Sequence, residues 1–331
     1  MMQFLANVLE QMDLALDQLA VNDINYKRFT LMLVDNVVEL TLHQHASKIA
    51  AQNKMWGQVR RKSKHPPKLI EAALGQNFDD KVKLAAHTEL ITNTVKDTIL
   101  ILHSFRNQVY HRGMTHEAIL PGISLFYFQN ACDLLQRFRP DYYSWGSKDS
   151  IPYRARKYLG SKPLMNLDKI FPEACGRLRE VSEGFSIDLP QSLASHIEVT
   201  IDEIDHNIQF LADDSPHKMT RDAVIIHSQM WPFAFSKQGK AFAKANSCKA
   251  KTMAEYVKWM KENYNWNPRK DPISGWKRRL ATMRKEADPH KALSLYKNFM
   301  DQTERLRSQI TEAAIQLDHY IQFQIDLARG K

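Results

Sequence analysis

The sequence is poor in the residues that interrupt helices or cross-link chains. Its 331 residues include 11 glycines and 13 prolines, which cluster between long segments of helical periodicity. No stretch alternates apolar and polar residues for long enough to predict a strand. The cysteines Cys132, Cys175 and Cys248 form no C-x-x-C pair, so neither a zinc ribbon nor a redox dithiol is indicated. We therefore predict an all-α protein of a reducing compartment, the cytoplasm.

Long hydrophobic runs and several catalytic signatures are also missing. No run of apolar residues is long enough to cross a bilayer, and no basic segment precedes an apolar core at the N-terminus. We therefore expect neither a membrane span nor a signal peptide, and no membrane partner. The glycine-rich nucleotide loops, H-E-x-x-H and G-x-S-x-G do not occur, so we expect no cofactor and no metal.

Positive charge is in excess. The formal net charge is +9 and the isoelectric point about 9.3, which favours anionic partners and nucleic acid first. Two basic stretches are candidates for RNA binding, one in a loop before a Pro-Pro pair and one near Trp266 and Trp276. Their residues are Arg60, Arg61, Lys62 and Lys64 in the first, and Lys277, Arg278 and Arg279 in the second. Two alternatives remain open, a solvated basic face and tryptophans that belong to the core.

Apolar periodicity divides the chain into helical regions. Helices are predicted over 3–19, 25–54, 80–110 and 117–138 in the N-terminal part, and a last long helix over 289–327. Proline and glycine interrupt the pattern after residue 138. The predicted domains are an N-terminal bundle over 1–140, an irregular linker over 141–172 and a helical C-terminal domain of unknown type over 173–331.

One segment combines arginine and histidine at a spacing that suits RNA chemistry. It reads Arg106-Asn107-Gln108-Val109-Tyr110-His111. Three other pairs have a similar spacing, namely Arg60 with His65, Arg221 with His227, and Arg284 with His290. Only the segment at Arg106 closes a long amphipathic helix and is followed by a short turn and another apolar helix, so we select it.

This segment resembles the R-x4–6-H signature of the HEPN ribonucleases, and the resemblance covers about residues 1–140. It implies a four-helix bundle with the motif near the end of its third helix. Glu39, inside an apolar second helix, resembles an acidic position common in the family. The resemblance further implies a homodimer in which two motifs face each other, and a metal-independent hydrolase that leaves 2′,3′-cyclic phosphate and 5′-hydroxyl ends.

Each motif residue has a physical role in RNA cleavage. His111 can act as general acid or base because histidine titrates near neutral pH. Arg106 is always charged and can stabilise the negative charge on the phosphate. Asn107 can bind the phosphate or orient His111, and Tyr110 is a lesser candidate for the same duty. Family members commonly act as toxins or in antiviral defence, which implies an antitoxin or regulatory protein as a further partner.

Rival interpretations remain open. Arg106 could be a structural ion-pair partner, perhaps of Glu39, and His111 could simply favour the negative end of a helix dipole. The protein could also be a non-catalytic nucleic-acid-binding or interaction module built on a HEPN-like bundle. A third possibility is a scaffold whose last helix, with its near-heptad apolar stripe, recruits a partner helix.

Overall fold

The structure is a computed structural model that describes residues 1–58, 65–112, 117–144, 146, 149–160 and 166–330. The side chains of residues 56–58, 111 and 112 are also outside the described part. Helices, turns and irregular segments make up these residues, which include no strand. The prediction of an all-α protein is therefore confirmed for the described part of the chain.

Fourteen helices follow one another along the described residues. Their bounds are α1 Met2–Ala20, α2 Ile24–Gln58, α3 Pro67–Leu74, α4 Phe78–His87, α5 Asn93–Arg112, α6 Leu120–Arg137, α7 Arg156–Leu159, α8 Leu167–Glu183, α9 Leu189–Asp214, α10 Arg221–Ala234, α11 Lys237–Ala245, α12 Met253–Asn263, α13 Ile273–Met283 and α14 Pro289–Ala328. No helix in the described residues is both long enough and apolar enough to cross a membrane.

The chain forms two compact units. The first contains Met1–Leu193 and Asp288–Ser294, and the second contains Ala194–Ala287 and Leu295–Lys331. The predicted linker over 141–172 does not coincide with this division. The reason is that α8 packs on α1 and α6, so the first unit extends beyond the predicted bundle.

In the first unit, α2 and α6 are the central helices. α2 contacts α1, α3, α4, α5 and α6, and α6 also contacts α1, α5 and α8. Nearly every residue of α6 between Leu120 and Leu135 is buried, as expected for a helix covered on all sides. The buried stripe of α2 runs through Leu31, Val34, Val38 and Leu42.

On this second helix, apolar periodicity predicts a buried stripe through Phe29, Leu33, Val37, Leu40 and Ile49. The prediction is partly wrong, because Phe29 and Leu40 are both exposed. Apolar residues occur on several faces of α2, so periodicity alone did not select the buried face.

The helix predicted over 80–110 is also wrong, because the structure has two helices there. α4 ends at His87, and Glu89 adopts a positive φ of 61°, a conformation that a helix cannot continue through. Thr92 then caps α5, since its Oγ1 accepts a hydrogen bond from the Val95 N–H at 3.2 Å. A threonine that precedes a helix in this way is a common N-cap, so the break had a readable sequence signal.

A buried carboxylate fastens the segment 149–160 to α1. Asp13 is 3% exposed, and its oxygens accept hydrogen bonds from Lys157 Nζ at 2.8 Å, Tyr158 OH at 2.7 Å and Arg154 Nη1 at 2.9 Å. Burial raises the pKa of Asp13, but these hydrogen bonds outweigh burial and the pKa lies below its ordinary value. This segment was predicted to be an irregular linker, whereas the structure packs it onto the bundle.

The second unit has an apolar core between α10, α11 and α12. Met230, Phe233, Ala243, Met260 and Trp266 are its buried residues, together with Ala234. Aromatic rings surround them, and Phe233 lies 4.1 Å from the ring centroid of Tyr264. These short helices therefore form a well-packed corner rather than a loose connection.

Gly239 allows α11 to start directly against the end of α10. A Cβ at this position would lie 2.0 Å from the carbonyl oxygen of Phe233 and 2.9 Å from its carbon. Both are backbone atoms and cannot rotate away. Ser236 caps the same helix by accepting a hydrogen bond from the Gly239 N–H at 3.0 Å. The close approach of the two helices therefore requires glycine.

Asp13→Asn should destabilise the protein by about 2 kcal/mol at pH 7, the usual range for hydrogen bonds to a charged group. Because the folded-state pKa of Asp13 is lowered, the stabilisation is present above the unfolded pKa of about 4. It should disappear as the pH falls through the folded-state pKa. Urea unfolding of both proteins between pH 7 and pH 3 measures this. Asp97→Asn is the control, since Asp97 is exposed and forms an ion pair with adjacent Lys96. An equal loss in both variants would contradict the role of Asp13.

Gly239→Ala should destabilise the protein by about 1–3 kcal/mol, because the added methyl group overlaps backbone atoms. Gly275→Ala is the matched control. Gly275 lies inside α13 and a Cβ there would meet nothing within 4 Å. This second change should be neutral or stabilise by up to about 1 kcal/mol, since alanine favours helix. Thermal unfolding followed by circular dichroism compares the two variants, and similar melting temperatures would refute the steric argument.

Candidate functional site

A fully buried carboxylate lies at the centre of the region that contains the arginine and histidine motif. Asp35 of α2 is 0% exposed. Its Oδ1 accepts hydrogen bonds from His103 Nδ1 at 2.9 Å and from the hydroxyl of Tyr127 at 2.8 Å. Its Oδ2 lies 3.0 Å from Nε of Arg106, as an ion pair without the alignment of a hydrogen bond. One carboxylate thus connects α2, α5 and α6.

Arg106 is the member of this cluster that reaches the surface. Its side chain is 29% exposed, and its Nη1 donates a hydrogen bond to Oδ1 of Asn107 at 2.9 Å. Among the described residues, no hydrogen bond or ion pair involves Nη2. Since guanidinium carries five N–H donors, the contacts within the described residues use only part of its capacity. The buried carboxylate therefore fixes the guanidinium while leaving part of it accessible.

His103 is held in a single orientation. Its ring stacks on Phe78 of α4 with centroids 3.9 Å apart and an angle of 10° between the planes. Because the Asp35 carboxylate is an acceptor, Nδ1 of His103 carries the proton in this pair. His103 precedes Arg106 by three residues, so both lie on one side of α5.

Tyr127 remains protonated in this environment. Burial raises the pKa of its hydroxyl well above the ordinary value, and the charge of Asp35 and the hydrogen bond to it raise the pKa further. Arg106 opposes this effect only in part. The hydroxyl is therefore a permanent donor to Asp35 across the pH range in which proteins function.

The other motif residues lie along the last turns of α5. Tyr110 is 64% exposed, and Cζ of Arg106 lies 6.0 Å from its ring centroid. Position 111 is still within α5, one helical turn beyond Asn107. The side chain of His111 is outside the described residues, so its proposed role stays a prediction.

The ion pair considered between Arg106 and Glu39 does not form. Glu39 Oε1 lies 3.5 Å from Nζ of the buried Lys81 of α4. Arg106 forms its ion pair with Asp35 instead. Asp35 is four residues before Glu39, so both lie on the same side of α2 one turn apart. The supporting acidic residue of the cluster is therefore Asp35, whereas Glu39 pairs with Lys81 of α4.

Sequence reasoning missed Asp35, His103 and Tyr127, although a signal for Asp35 was present. It stands four residues after Leu31 and seven before Leu42, in the spacing of the buried stripe. A lone carboxylate at such a position needs a donor nearby. The donors were not identifiable, since they come from helices about 70 and 90 residues later, as the sequence separations of 68 and 92 show.

The second predicted basic stretch is partly neutralised. Lys277 Nζ lies 2.9 Å from Oδ2 of Asp205, and Cζ of Arg279 lies 5.0 Å from the ring centroid of Phe299. Arg278 is exposed. Trp266 and Trp276 are buried, so the alternative that these tryptophans belong to the core is confirmed. The first stretch, Arg60, Arg61, Lys62 and Lys64, lies outside the described residues.

Two of the three other arginine and histidine pairs have local partners, while Arg60 of the third pair lies outside the described residues. Arg221 pairs with Asp205 and with Asp271, whose Oδ2 is 2.6 Å from Nε of the arginine. His290 Nδ1 is hydrogen-bonded with the hydroxyl of Thr98 at 2.7 Å. Neither arrangement leaves an arginine beside an accessible histidine, whereas the region at Arg106 has an accessible guanidinium.

Comparison with known proteins finds no matching family model, no matching curated protein and no matching solved structure. The HEPN resemblance therefore stays a prediction from the motif.

Asp35→Asn should destabilise the protein by about 3 kcal/mol, because it leaves a partly buried guanidinium without its counter-charge. Tyr127→Phe removes one neutral donor and should cost about 1 kcal/mol. Urea unfolding at pH 7 gives both values. Asn36→Ala removes one exposed hydrogen bond to Gln11 and should change stability by at most about 1 kcal/mol. If Asp35→Asn behaved like this control, Asp35 would not be the centre of the cluster.

Proposed function

We propose that this chain is a metal-independent endoribonuclease that cleaves RNA with Arg106, Asn107 and His111. The observation that carries the proposal is the accessible guanidinium of Arg106, held by the buried Asp35 at the end of α5. A fixed cation with free N–H donors suits a phosphate oxygen that gains charge during the reaction. The resemblance to HEPN ribonucleases supplies the choice of RNA.

The proposed reaction uses the 2′-hydroxyl of RNA as nucleophile. A histidine takes its proton, the 2′ oxygen attacks the adjacent phosphorus, and the 5′ oxygen leaves with a proton from an acid. The products are a 2′,3′-cyclic phosphate and a 5′-hydroxyl. His111 supplies one of the two proton transfers, Arg106 neutralises the phosphate, and Asn107 positions either group.

A single motif contains one histidine for two proton transfers. We therefore propose a homodimer in which a second copy provides the other His111, as the resemblance implies. The proposal extends by the same resemblance to a toxin or antiviral defence effector that an antitoxin or regulatory protein keeps silent.

A second candidate is a non-catalytic nucleic-acid-binding or interaction module. The observation that favours it is the involvement of Arg106 in an internal network with Asp35, Asn107 and Tyr110. In that case Arg106 connects α5 to α2, and His111 has no chemical role. Cleavage separates the two candidates.

The test is cleavage of single-stranded RNA in EDTA by the wild type, Arg106→Ala and His111→Ala. The wild type should leave cyclic phosphate ends, and each variant should be at least about a hundredfold slower, the usual contribution of one acid–base or charge-stabilising group. Arg137→Ala, in the last turn of α6, is the control and should cut at the wild-type rate.

Folding must be matched before rates are compared, because Arg106 also contacts Asp35. Arg106→Lys keeps the charge but loses the fork of donors, and circular dichroism with thermal unfolding confirms its fold. Full activity of His111→Ala in a folded protein would reject the proposed chemistry. Loss of wild-type cleavage on addition of EDTA would reject metal independence.

A further inference from the structure

A long segment of strong positive charge forms the corner of α10, α11 and α12. Residues 237–270 contain nine lysines and arginines and two glutamates, which gives this segment a net charge of +7 out of +9 for the whole chain. It coincides neither with the loop before the Pro-Pro pair nor with the stretch from Lys277 to Arg279. The remaining residues carry a net charge of +2, because acidic residues elsewhere offset the basic stretch before the Pro-Pro pair.

These cations are free of carboxylate partners. Among the described residues, none of the nine forms an ion pair, and all nine are exposed. One of the two acids, Glu255, is engaged in a capping box with Thr252 at the start of α12. The corner therefore presents positive charge that nothing within the described part of the chain neutralises.

The lysines of α11 lie on one face. Lys237, Lys240 and Lys244 are spaced by three and four residues, so they form a row along the helix. The opposite side of α11 carries the buried Gly239 and Ala243. A row of lysines about 4.5 and 6 Å apart along the axis suits successive phosphates of a nucleic-acid backbone better than a single small anion.

Exposed aromatic rings occur on the same corner, close in sequence to its lysines. Trp231 and Phe235 are 40% and 42% exposed and are nearly parallel, with centroids 5.9 Å apart and a 22° angle. Phe235 also lies 6.2 Å from the ring centroid of Tyr256 in α12. Lys237 follows Phe235 by two residues, and Lys258 follows Tyr256 by two.

Trp231 is held in place by a histidine. Its Nε1 donates to Nε2 of His227 at 2.8 Å. Burial and the charge of Lys261 lower the pKa of His227, so the imidazole is neutral and can accept this hydrogen bond. The charge of Lys261 thus acts on the histidine that holds the indole. An ordered aromatic surface with cations on either side is the arrangement on which unpaired bases stack.

A cavity of about 770 Å³ opens behind Trp231, a volume typical of small-ligand sites. It can accommodate a base that has left the stack. Gln309 and Glu312 are among its polar lining residues. The cavity is lined by Leu211, Met219, His227, Trp231, Gln309 and Leu317, among others.

From these observations we infer that the α10–α12 corner is a binding surface for single-stranded nucleic acid. Lys237, Lys240 and Lys244 contact successive phosphates, while Trp231 and Phe235 stack on bases. The choice of RNA over DNA rests on the proposed nuclease function. Double-stranded nucleic acid hides its base faces and would use the lysines alone, as would an acidic peptide.

The test measures binding of the full-length protein to a fluorescein-labelled, unstructured 2′-O-methyl RNA of about twenty nucleotides, enough for several contacts. This probe has no free 2′-hydroxyl, so it binds without being cut. Fluorescence anisotropy at several salt concentrations gives the affinity and its salt dependence. An abasic oligonucleotide of equal length presents the same phosphates without bases.

The triple variant Lys237→Gln, Lys240→Gln, Lys244→Gln should bind the RNA at least tenfold more weakly. The slope of log K against log salt should fall by about 2, since each phosphate contact on a single strand contributes about 0.7. The matched control changes the exposed Lys68, Lys169 and Lys291 to glutamine and should leave the slope unchanged. Equal weakening by both triple variants would overturn the lysine assignment.

Phe235→Ala should weaken RNA binding about tenfold, as expected for loss of one stacked base, with the salt slope and abasic binding unchanged. Trp231→Ala should behave in the same way, and circular dichroism verifies that both variants are folded. If the wild type bound the abasic oligonucleotide as tightly as the RNA, the aromatic surface would have no role and the inference would be wrong.

These experiments can reject the nuclease proposal and the binding proposal independently of each other. If the wild type binds 2′-O-methyl RNA through the lysines but does not cut unmodified RNA, the binding surface is supported and the proposed nuclease activity is rejected. If the wild type cuts RNA but neither the lysine nor the aromatic substitutions weaken binding, the nuclease is supported and this binding surface is rejected.

Discussion

The burial of one carboxylate governs the arrangement of the first unit. Asp35 has no access to water, so its charge must be compensated by groups that the fold brings to it. Those groups come from α5 and α6, which follow in the chain after long separations. Apolar packing of α1, α2 and α6 would tolerate small rotations of α5, whereas an ion pair and two hydrogen bonds to one carboxylate do not. The position of Arg106 is therefore a consequence of satisfying Asp35, whatever further use the arginine has.

The two units differ in how they treat charge. In the first unit, the buried carboxylates of Asp13 and Asp35 each bind an arginine from another segment and so connect separate elements. In the second unit the α10–α12 corner has an aromatic core and keeps its lysines in water. The ion pairs of the buried carboxylates specify structure, because breaking one leaves a buried charge without a partner. The exposed lysines of the corner contribute little to stability and are available for a partner.

Sequence patterns were informative where burial and helical period coincide. The all-α character, the ends of α1 and the extent of α14 followed from spacing alone. The break between α4 and α5 was missed because the apolar stripe continues past Thr88, while the deciding features were the backbone conformation of Glu89 and the cap at Thr92.

The candidate site was predictable only in its local part. Arg106 and Asn107 are adjacent in sequence, so their proximity could be predicted without knowledge of the tertiary structure. Asp35, His103 and Tyr127 meet through tertiary packing, and single-sequence reasoning has no access to such pairs. The lysines of α11 were visible in the sequence, but only the structure shows that they form no ion pair within the described residues.

The close approach at Gly239 has a consequence for the entropy of association. Because α11 starts directly against the backbone of Phe233, the lysine row and the aromatic rings are parts of one rigid corner. A partner that binds there does not need to order a loop first, and the main conformational cost falls on the lysine side chains. Association should then be fast and its enthalpy small, because charge steers the encounter and released counterions supply much of the driving force. In kinetic terms, the corner is suited to capturing a flexible chain quickly and releasing it again.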